Sequence, residues 1–360
     1  VSRLSELIEE HSRWREGGVN LIASENALGP EARRVLGSDL QGRYHSPWYG
    51  GTKIIDEIVG ETERIARRLF GCRHAIVTPL SGNLCDLAVI LALTAPGDGV
   101  AMVPASCGGY PLNVSLFGRR RVDLPMVPGG YDPDPERMGD LAGEAALVIG
   151  GSSFIPFPHP VKALGRTGAP VVYDGSHVLG LMACGGFQSP LSEGAAVLIG
   201  STHKSLPGPQ GGVVLTDDDG MHRRLGAVLD FGIEGDIGLV DNPHPARIAA
   251  LGLALLELEE DADYASRVVA NARALAAGLV SAGVPVRFQD RGYTASHQIF
   301  LDLDLERGKV YCAALEKEGI FIDIAGRLGT AEVTRRGMSP DDMAAVADRM
   351  AAVWRGLFGG

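Results

Sequence analysis

Seven short apolar runs, each unbroken rather than alternating, set the strongest limit on how this chain can fold. They cover residues 74–78, 99–103, 122–127, 145–150, 170–174, 195–200 and 212–216. A strand with one wet face alternates apolar and polar side chains, whereas a continuous Val, Ile and Leu run reads as buried on both faces. Between the runs stand helical patterns at 57–70, 83–94, 135–142 and 160–166. Strand, helix, strand in this order predicts an α/β fold with a mostly parallel sheet covered by helices. Ligands of such sheets lie beyond the carboxyl ends of the strands, so chemistry is expected just after the runs.

The pattern changes after about residue 240. A long helical stretch spans 245–282, with Leu251, Leu255 and Leu258 as its apolar stripe. Shorter alternating segments follow at 285–288, 297–303 and 319–324, and an amphipathic helix covers 340–357. This profile predicts an N-terminal helical arm over 1–16, a large domain over 17–240 and a smaller α+β domain over 241–360. The arm carries Leu4, Leu7, Ile8 and Trp14 on one helical stripe and does not read as a signal segment.

Across 360 residues, 33 Lys and Arg face 44 Asp and Glu, a formal charge of −11. An acidic surface argues against duplex nucleic acid and against an anionic membrane. No apolar run reaches spanning length. The five cysteines are scattered and never form CxxC, which argues against structural zinc or a disulfide framework and for a cytoplasmic protein. Arg119–Arg121 reads as a solvated turn, and His159 and His244 as loop residues flanked by proline.

Three strand ends carry polar residues. After run 195–200 come Ser201, Thr202, His203 and Lys204, then the glycine-rich 207–212. A lysine partly desolvated at a sheet edge has a lowered pKa and attacks aldehydes to form imines; a surface lysine explains the segment alone equally well. Run 170–174 ends in Asp174, followed by Gly175, Ser176 and His177. Such a carboxylate can hold a pyridinium nitrogen protonated, though a helix N-cap is the plainer reading of the aspartate alone. After run 74–78, Ser81, Gly82 and Asn83 open a helix and offer free backbone N–H groups to a phosphate. Phosphate seat, acid and amine together describe a site for pyridoxal 5'-phosphate.

At these residues the sequence resembles serine hydroxymethyltransferase, a pyridoxal phosphate enzyme of the aspartate aminotransferase fold. The resemblance runs through segments 21–26, 49–51, 81–82, 108–109, 174–181, 201–212 and 334–337, in the family's order. It implies that Lys204 bonds the cofactor aldehyde and Asp174 pairs with the ring nitrogen. His177 lies beside the ring's hydroxyl side, and His203 precedes the lysine in the site. Ser81, Gly82 and Asn83 hold the phosphate, with Thr202 and Ser153 in the cofactor set. Tyr110 stacks where the family places a histidine. Arg327 grips the substrate carboxylate and Ser24 lies near it. Tyr44 and Tyr49 are donated across the interface of a homodimer with shared sites.

The departures from the family are as informative. The glutamate expected two residues after Tyr44 is missing and its loop is shorter, reading His45, Ser46, Pro47, Trp48. Only Ala325 and Gly326 stand where a longer folate-touching loop precedes the arginine, and Gln210 replaces a further arginine. These losses remove folate machinery and leave the pyridoxal machinery. The expected activity is therefore folate-independent aldol or retro-aldol chemistry at the Cα of glycine, serine, threonine or another β-hydroxy amino acid, with an aldehyde as co-substrate. His45 and His177 are the candidate bases, and Tyr49 completes the catalytic set. Folate-dependent hydroxymethyl transfer, racemisation or transamination, and a non-catalytic binding role stay open as alternatives.

Overall fold

The computed structural model describes residues 2–230 and 236–359, and they form two compact units. The smaller gathers residues 1–27 and 266–360, the larger residues 28–265. In chain order the smaller unit opens with helix α1 (Arg3–Glu16) and the short strand β1 (Val19–Asn20).

The larger unit begins with α2 (Pro30–Leu36) and α3 (Lys53–Phe70), then β2 (His74–Ile76) and α4 (Gly82–Leu93). Next come β3 (Gly99–Met102), β4 (Arg120–Asp123), β5 (Leu147–Gly150), α5 (Val161–Leu164) and β6 (Val171–Asp174). It ends with α6 (Leu179–Ala183), β7 (Val197–Ser201), β8 (Gly212–Thr216), α7 (Asp219–Leu229) and α8 (Pro245–Glu260). Helix α9 (Tyr264–Ser281) carries the chain back to the smaller unit. There follow β9 (Gln298–Phe300), α10 (Leu305–Lys317), β10 (Ile320–Phe321), β11 (Arg327–Gly329), α11 (Ala331–Arg335) and α12 (Pro340–Phe358).

The larger unit holds one seven-stranded sheet in the order β2-β8-β7-β6-β5-β3-β4. Strands β4, β3, β5, β6 and β7 pair in parallel, and only β8 runs against its neighbours. Strands β3, β5, β7 and β8 are buried at every position, as their continuous apolar runs require. Each buried Val, Ile or Leu contributes on the order of 2 kcal/mol of transfer free energy, so the sheet interior dominates this unit's stability.

Several elements depart from the sequence-based expectation. The strand at run 122–127 covers only Arg120–Asp123; Pro125 has no N–H for the ladder, and Met126 makes a separate bridge to Pro133. Arg120 and Arg121 open this edge strand rather than a turn, and just before it the buried Arg119 guanidinium donates to the Thr94 and Phe117 carbonyls. The pattern at 135–142 forms a 3-10 helix, and 285–288 makes a single bridge, Val286 to Leu301. The stretch 245–282 breaks at 261–263, where aspartates compete with the helix backbone.

The units also divide elsewhere than at residues 16 and 240. Strand β1 pairs in parallel with β10, which joins the N-terminal segment to the C-terminal one. Helix α8 packs on α3, with Thr62 Oγ1 donating to the Ile248 carbonyl at 3.3 Å, and so belongs to the larger unit. Leu251, Leu255 and Leu258 are each 1% exposed there. In the smaller unit Leu275, Leu279, Ile299, Leu315, Met343 and Met350 share one core. Ser339 and Asp342 form a capping box that starts α12.

Gly151, just past β5, has φ +81, and a Cβ there would lie 2.0 Å from the Asp174 carbonyl oxygen. Gly143 also has φ +81 but opens on empty space. A methyl at Gly143 meets only the left-handed strain of about 1 kcal/mol, while one at Gly151 adds a clash of about 1–3 kcal/mol. Thermal unfolding should therefore show a larger drop in midpoint for Gly151→Ala than for Gly143→Ala. Equal drops would contradict this packing.

Candidate active site

The carboxyl ends of β6 and β7 meet in the larger unit. Asp174 is the last residue of β6, and its Oδ1 accepts from the Ser176 N–H at 2.9 Å. The Ser176 hydroxyl in turn accepts from the Ser201 N–H at the end of β7, also at 2.9 Å. One residue on, Thr202 is fully buried; its hydroxyl donates to the Pro209 carbonyl at 2.6 Å and its N–H to the Gly211 carbonyl at 3.1 Å. These bonds pin both ends of the loop that carries His203 and Lys204. Lys204 Nζ lies 3.3 Å from His177 Nε2, and His177 is 4% exposed. Burial, then the Lys204 charge, pushes the His203 imidazole down to about 4, so it is neutral at pH 7.

The N-terminus of α4 closes on the same strand ends. Ser81 is its N-cap and accepts from the Leu84 N–H at 3.1 Å. A Cβ on Gly82 would stand 2.2 Å from Ser201 Oγ and 3.0 Å from Ser176 Oγ, so no larger residue fits. The first-turn N–H groups of α4 and their dipole favour an anion here. Asn83 Oδ1 accepts from the Tyr110 hydroxyl at 3.3 Å, which ties the tyrosine to this cradle. Ser153 stands in the loop after β5, whose Phe154 N–H donates to the Gly108 carbonyl at 3.0 Å. That contact joins the Ser153 loop to the segment bearing Tyr110.

Asp86 lies one helical turn past Gly82, 2% exposed on α4, and is not among the residues that the sequence singles out. Burial first, then the Asp174 charge, holds its carboxyl well above the usual range, against the pull of Lys204. Its Oδ1 has no hydrogen-bond partner among the described residues. Burial of an acid with an unpartnered oxygen favours its neutral form. The sequence does hold a signal for it: one acid inside the apolar helix 84–93. His159 lies in a loop, as expected, but is buried there. It is 1% exposed, and its Nδ1 accepts from the Gly151 N–H at 3.2 Å beside the Asp174 backbone.

Three predicted residues stand outside this cluster in the same unit. The rings of Tyr44 and Tyr49 pack 5.3 Å apart and are exposed, and Tyr44 donates to Asp241 Oδ2 at 2.8 Å. His45 bonds Asp56 at 2.8 Å and lines a cavity of about 230 Å³ with Glu63, Thr78 and Asp241. Burial, then the Asp230 charge, pushes Glu63 up to about 7 in that cavity.

The smaller unit holds Ser24 and Arg327. Arg327 opens β11 opposite Phe300 of β9, while Gly329 donates to the Leu21 carbonyl at 2.8 Å. His297 Nε2 contacts the Ala23 carbonyl at 3.0 Å. Ser24 and Arg327 are thus carried on one bonded frame. Asp323 holds Arg327 Nε at 2.9 Å.

The donor set has a definite chemical capacity. A helix N-terminus can seat a phosphate, Asp174 a protonated ring nitrogen, and Lys204 an aldehyde as its imine. Among the described residues no group of three or more His, Cys, Asp or Glu is arranged to hold a metal. No described helix is long and apolar enough to cross a membrane.

Comparison with known proteins bears on the chain's family and fold. A family model described as serine hydroxymethyltransferase matches residues 2–116 and 147–350. The serine hydroxymethyltransferase of Methanothermobacter thermautotrophicus is 36% identical, covering 97% of this chain and 88% of that protein. That of Methanopyrus kandleri is 38% identical, covering 96% and 87%. The crystal structure of L-threonine transaldolase from Pseudomonas fluorescens, in its internal aldimine state, superposes with a TM-score of 0.88 at 26% identity. That match covers 98% of this chain and 86% of the other.

Burial also makes the site's scaffold sensitive to acid. The His159 imidazole is pushed down to about 4 from 6.5, with burial as the leading cause. Between these values the unfolded chain binds the proton and the folded one does not. Stability is therefore complete above pH 6.5 and falls by up to about 3 kcal/mol as pH drops towards 4. His159→Asn keeps an acceptor for Gly151 but cannot titrate. Its unfolding midpoint should fall less than wild type's over this window; parallel pH profiles would contradict the assignment.

Proposed function

We propose a function for a chain that belongs to the serine hydroxymethyltransferase family: it is a pyridoxal 5'-phosphate-dependent enzyme that acts at the Cα of a small amino acid. Its reaction in this reading is folate-independent aldol or retro-aldol chemistry on a β-hydroxy amino acid, with an aldehyde as product or co-substrate. The observation that carries the reading is the contact of Lys204 Nζ with His177 Nε2, 3.3 Å, beside the strand end that bears Asp174.

Each residue's role follows from its surroundings. Lys204 is an amine at a pinned strand end, suited to bind the cofactor aldehyde and then yield it to the substrate amine. Ser81, Gly82 and Asn83 would hold the phosphate, Asp174 would pair with the ring nitrogen, and Tyr110 would offer its aromatic face to the ring. Asp86, its carboxyl held well above the usual range and its Oδ1 unpartnered among the described residues, is a further candidate proton donor. When bound, pyridoxal phosphate supplies the conjugated ring that takes up the electron pair released at Cα. Arg327 offers a guanidinium to the substrate carboxylate, with Ser24 on the same frame.

His177 is the preferred base. Taking the proton of a β-hydroxyl turns that oxygen into an aldehyde carbonyl as the Cα–Cβ bond breaks. His177 touches the lysine, whereas within this chain His45 is engaged by Asp56. Tyr44, His45 and Tyr49 belong, in this reading, to the site of a second copy in a homodimer. The exposure of Tyr44, Trp48, Tyr49 and Ile54 supports that arrangement, and a cytoplasmic location accords with the free cysteines.

A second reading is folate-dependent hydroxymethyl transfer, favoured by the names of the relatives. Against it stands the connection from β10 to β11, a tight turn over 323–326 in place of a long loop. Assay of serine cleavage to glycine and formaldehyde, with and without tetrahydrofolate, separates the two. Glycine should form without tetrahydrofolate. His177→Asn should lower kcat about 100-fold, the usual weight of a general base, and His45→Asn by less than about threefold. A strict need for tetrahydrofolate would favour the second reading, and a larger loss in His45→Asn would displace His177 as the base.

A further inference from the structure

The turn between β10 and β11 is built around one side chain. Asp323 Oδ1 accepts the Ala325 N–H at 3.0 Å and the Arg327 N–H at 3.0 Å. Its Oδ2 accepts Arg327 Nε at 2.9 Å. Both oxygens are thus spent on a turn only four residues long, closed by the Gly326 N–H on the Asp323 carbonyl at 3.3 Å. The pair is well shielded, with the Arg327 side chain 12% exposed and the Asp323 side chain 23% exposed. The Arg327 backbone is fixed separately by its pairing with Phe300.

We propose that Asp323 is the positioning residue for Arg327: the carboxylate fixes the guanidinium through Nε and so sets the enzyme's affinity for the carboxylate of its amino-acid substrate. The inference rests on the reading of Arg327 given above. An arginine has five N–H donors in a planar fork, and a carboxylate engages it best along one edge through two parallel bonds. Anchoring Nε removes the rotation that would carry the fork away from a ligand. Less side-chain freedom is then lost on binding, which is the gain of a preorganised site. Where a long loop would have to be ordered around the arginine, here a single acid holds it from four residues away. Asp323 touches no reacting atom, so its effect is on binding of the carboxylate and not on the bond-breaking step.

The test uses the holoenzyme and compares glycine with methylamine, which has the same amine and no carboxylate. Dissociation constants are read from the change in cofactor absorbance. Arg327→Ala should weaken glycine about 100-fold and leave methylamine unchanged, the signature of a lost charge-assisted pair. Asp323→Ala should weaken glycine about tenfold, again sparing methylamine, and Asp323→Glu should recover most of the loss. The double variant should match Arg327→Ala within about twofold, because the acid acts only through the arginine. If Asp323→Ala is poorly folded, Asp323→Asn gives the same comparison. Unchanged or tighter glycine binding in Asp323→Ala or Asp323→Asn, with Arg327→Ala still weakened, would overturn the proposal alone. Equal weakening of glycine and methylamine would also overturn it, by marking a structural role. Unchanged glycine binding in Arg327→Ala would overturn the reading of Arg327 and the proposal with it.

Discussion

Two hydrogen bonds, from the Ser201 N–H to the Ser176 hydroxyl at 2.9 Å and from the Gly175 N–H to the Ile199 carbonyl at 2.8 Å, join the two strand ends on which the proposed chemistry depends. Strands β6 and β7 are parallel neighbours in register, Asp174 opposite Ile199. Parallel pairing brings their carboxyl ends to one edge, and the serine bond keeps the segments beyond that edge from diverging. An acid and an amine that must act on opposite ends of one small ring need this fixed separation. The sheet supplies it with buried Val, Ile and Leu, and the loop bonds of Thr202 extend it to Lys204.

Electrostatics then sort the groups around that edge. Asp86 is buried on α4 with its Oδ1 unpartnered among the described residues, and burial first, then the Asp174 charge, holds its carboxyl well above the usual range. His203 is kept neutral by burial and by the lysine charge next to it. A helix N-terminus completes the set with a positive field for a phosphate. Within the smaller unit, an arginine and a serine stand on one hydrogen-bonded frame, with the acid of a four-residue turn behind them.

Much of this architecture is legible in the amino-acid sequence. Continuous apolar runs announce a doubly buried sheet, and Lys204, Asp174 and Ser81 stand where such sheets bind ligands. What is not legible has physical causes. Unit boundaries depend on long-range pairing: β1 finds its partner some 300 residues away in β10, and no local pattern records that. Proline at 125 and the aspartates at 261 and 263 trim elements that periodicity alone extends. Asp86 escapes a sequence reading because one acid in an apolar helix looks like a surface residue until its burial is known. His159 lies in a loop, as its flanking prolines indicate, but its burial is not legible from them.

The central claim is that the Lys204 amine carries pyridoxal phosphate. Borohydride reduction of the purified enzyme, followed by peptide mass mapping, tests it directly, because reduction makes the lysine–cofactor bond permanent. The account predicts a phosphopyridoxyl mass on the peptide containing Lys204 and on no other lysine. An unmodified Lys204 peptide from protein that had been supplied with the cofactor would contradict it.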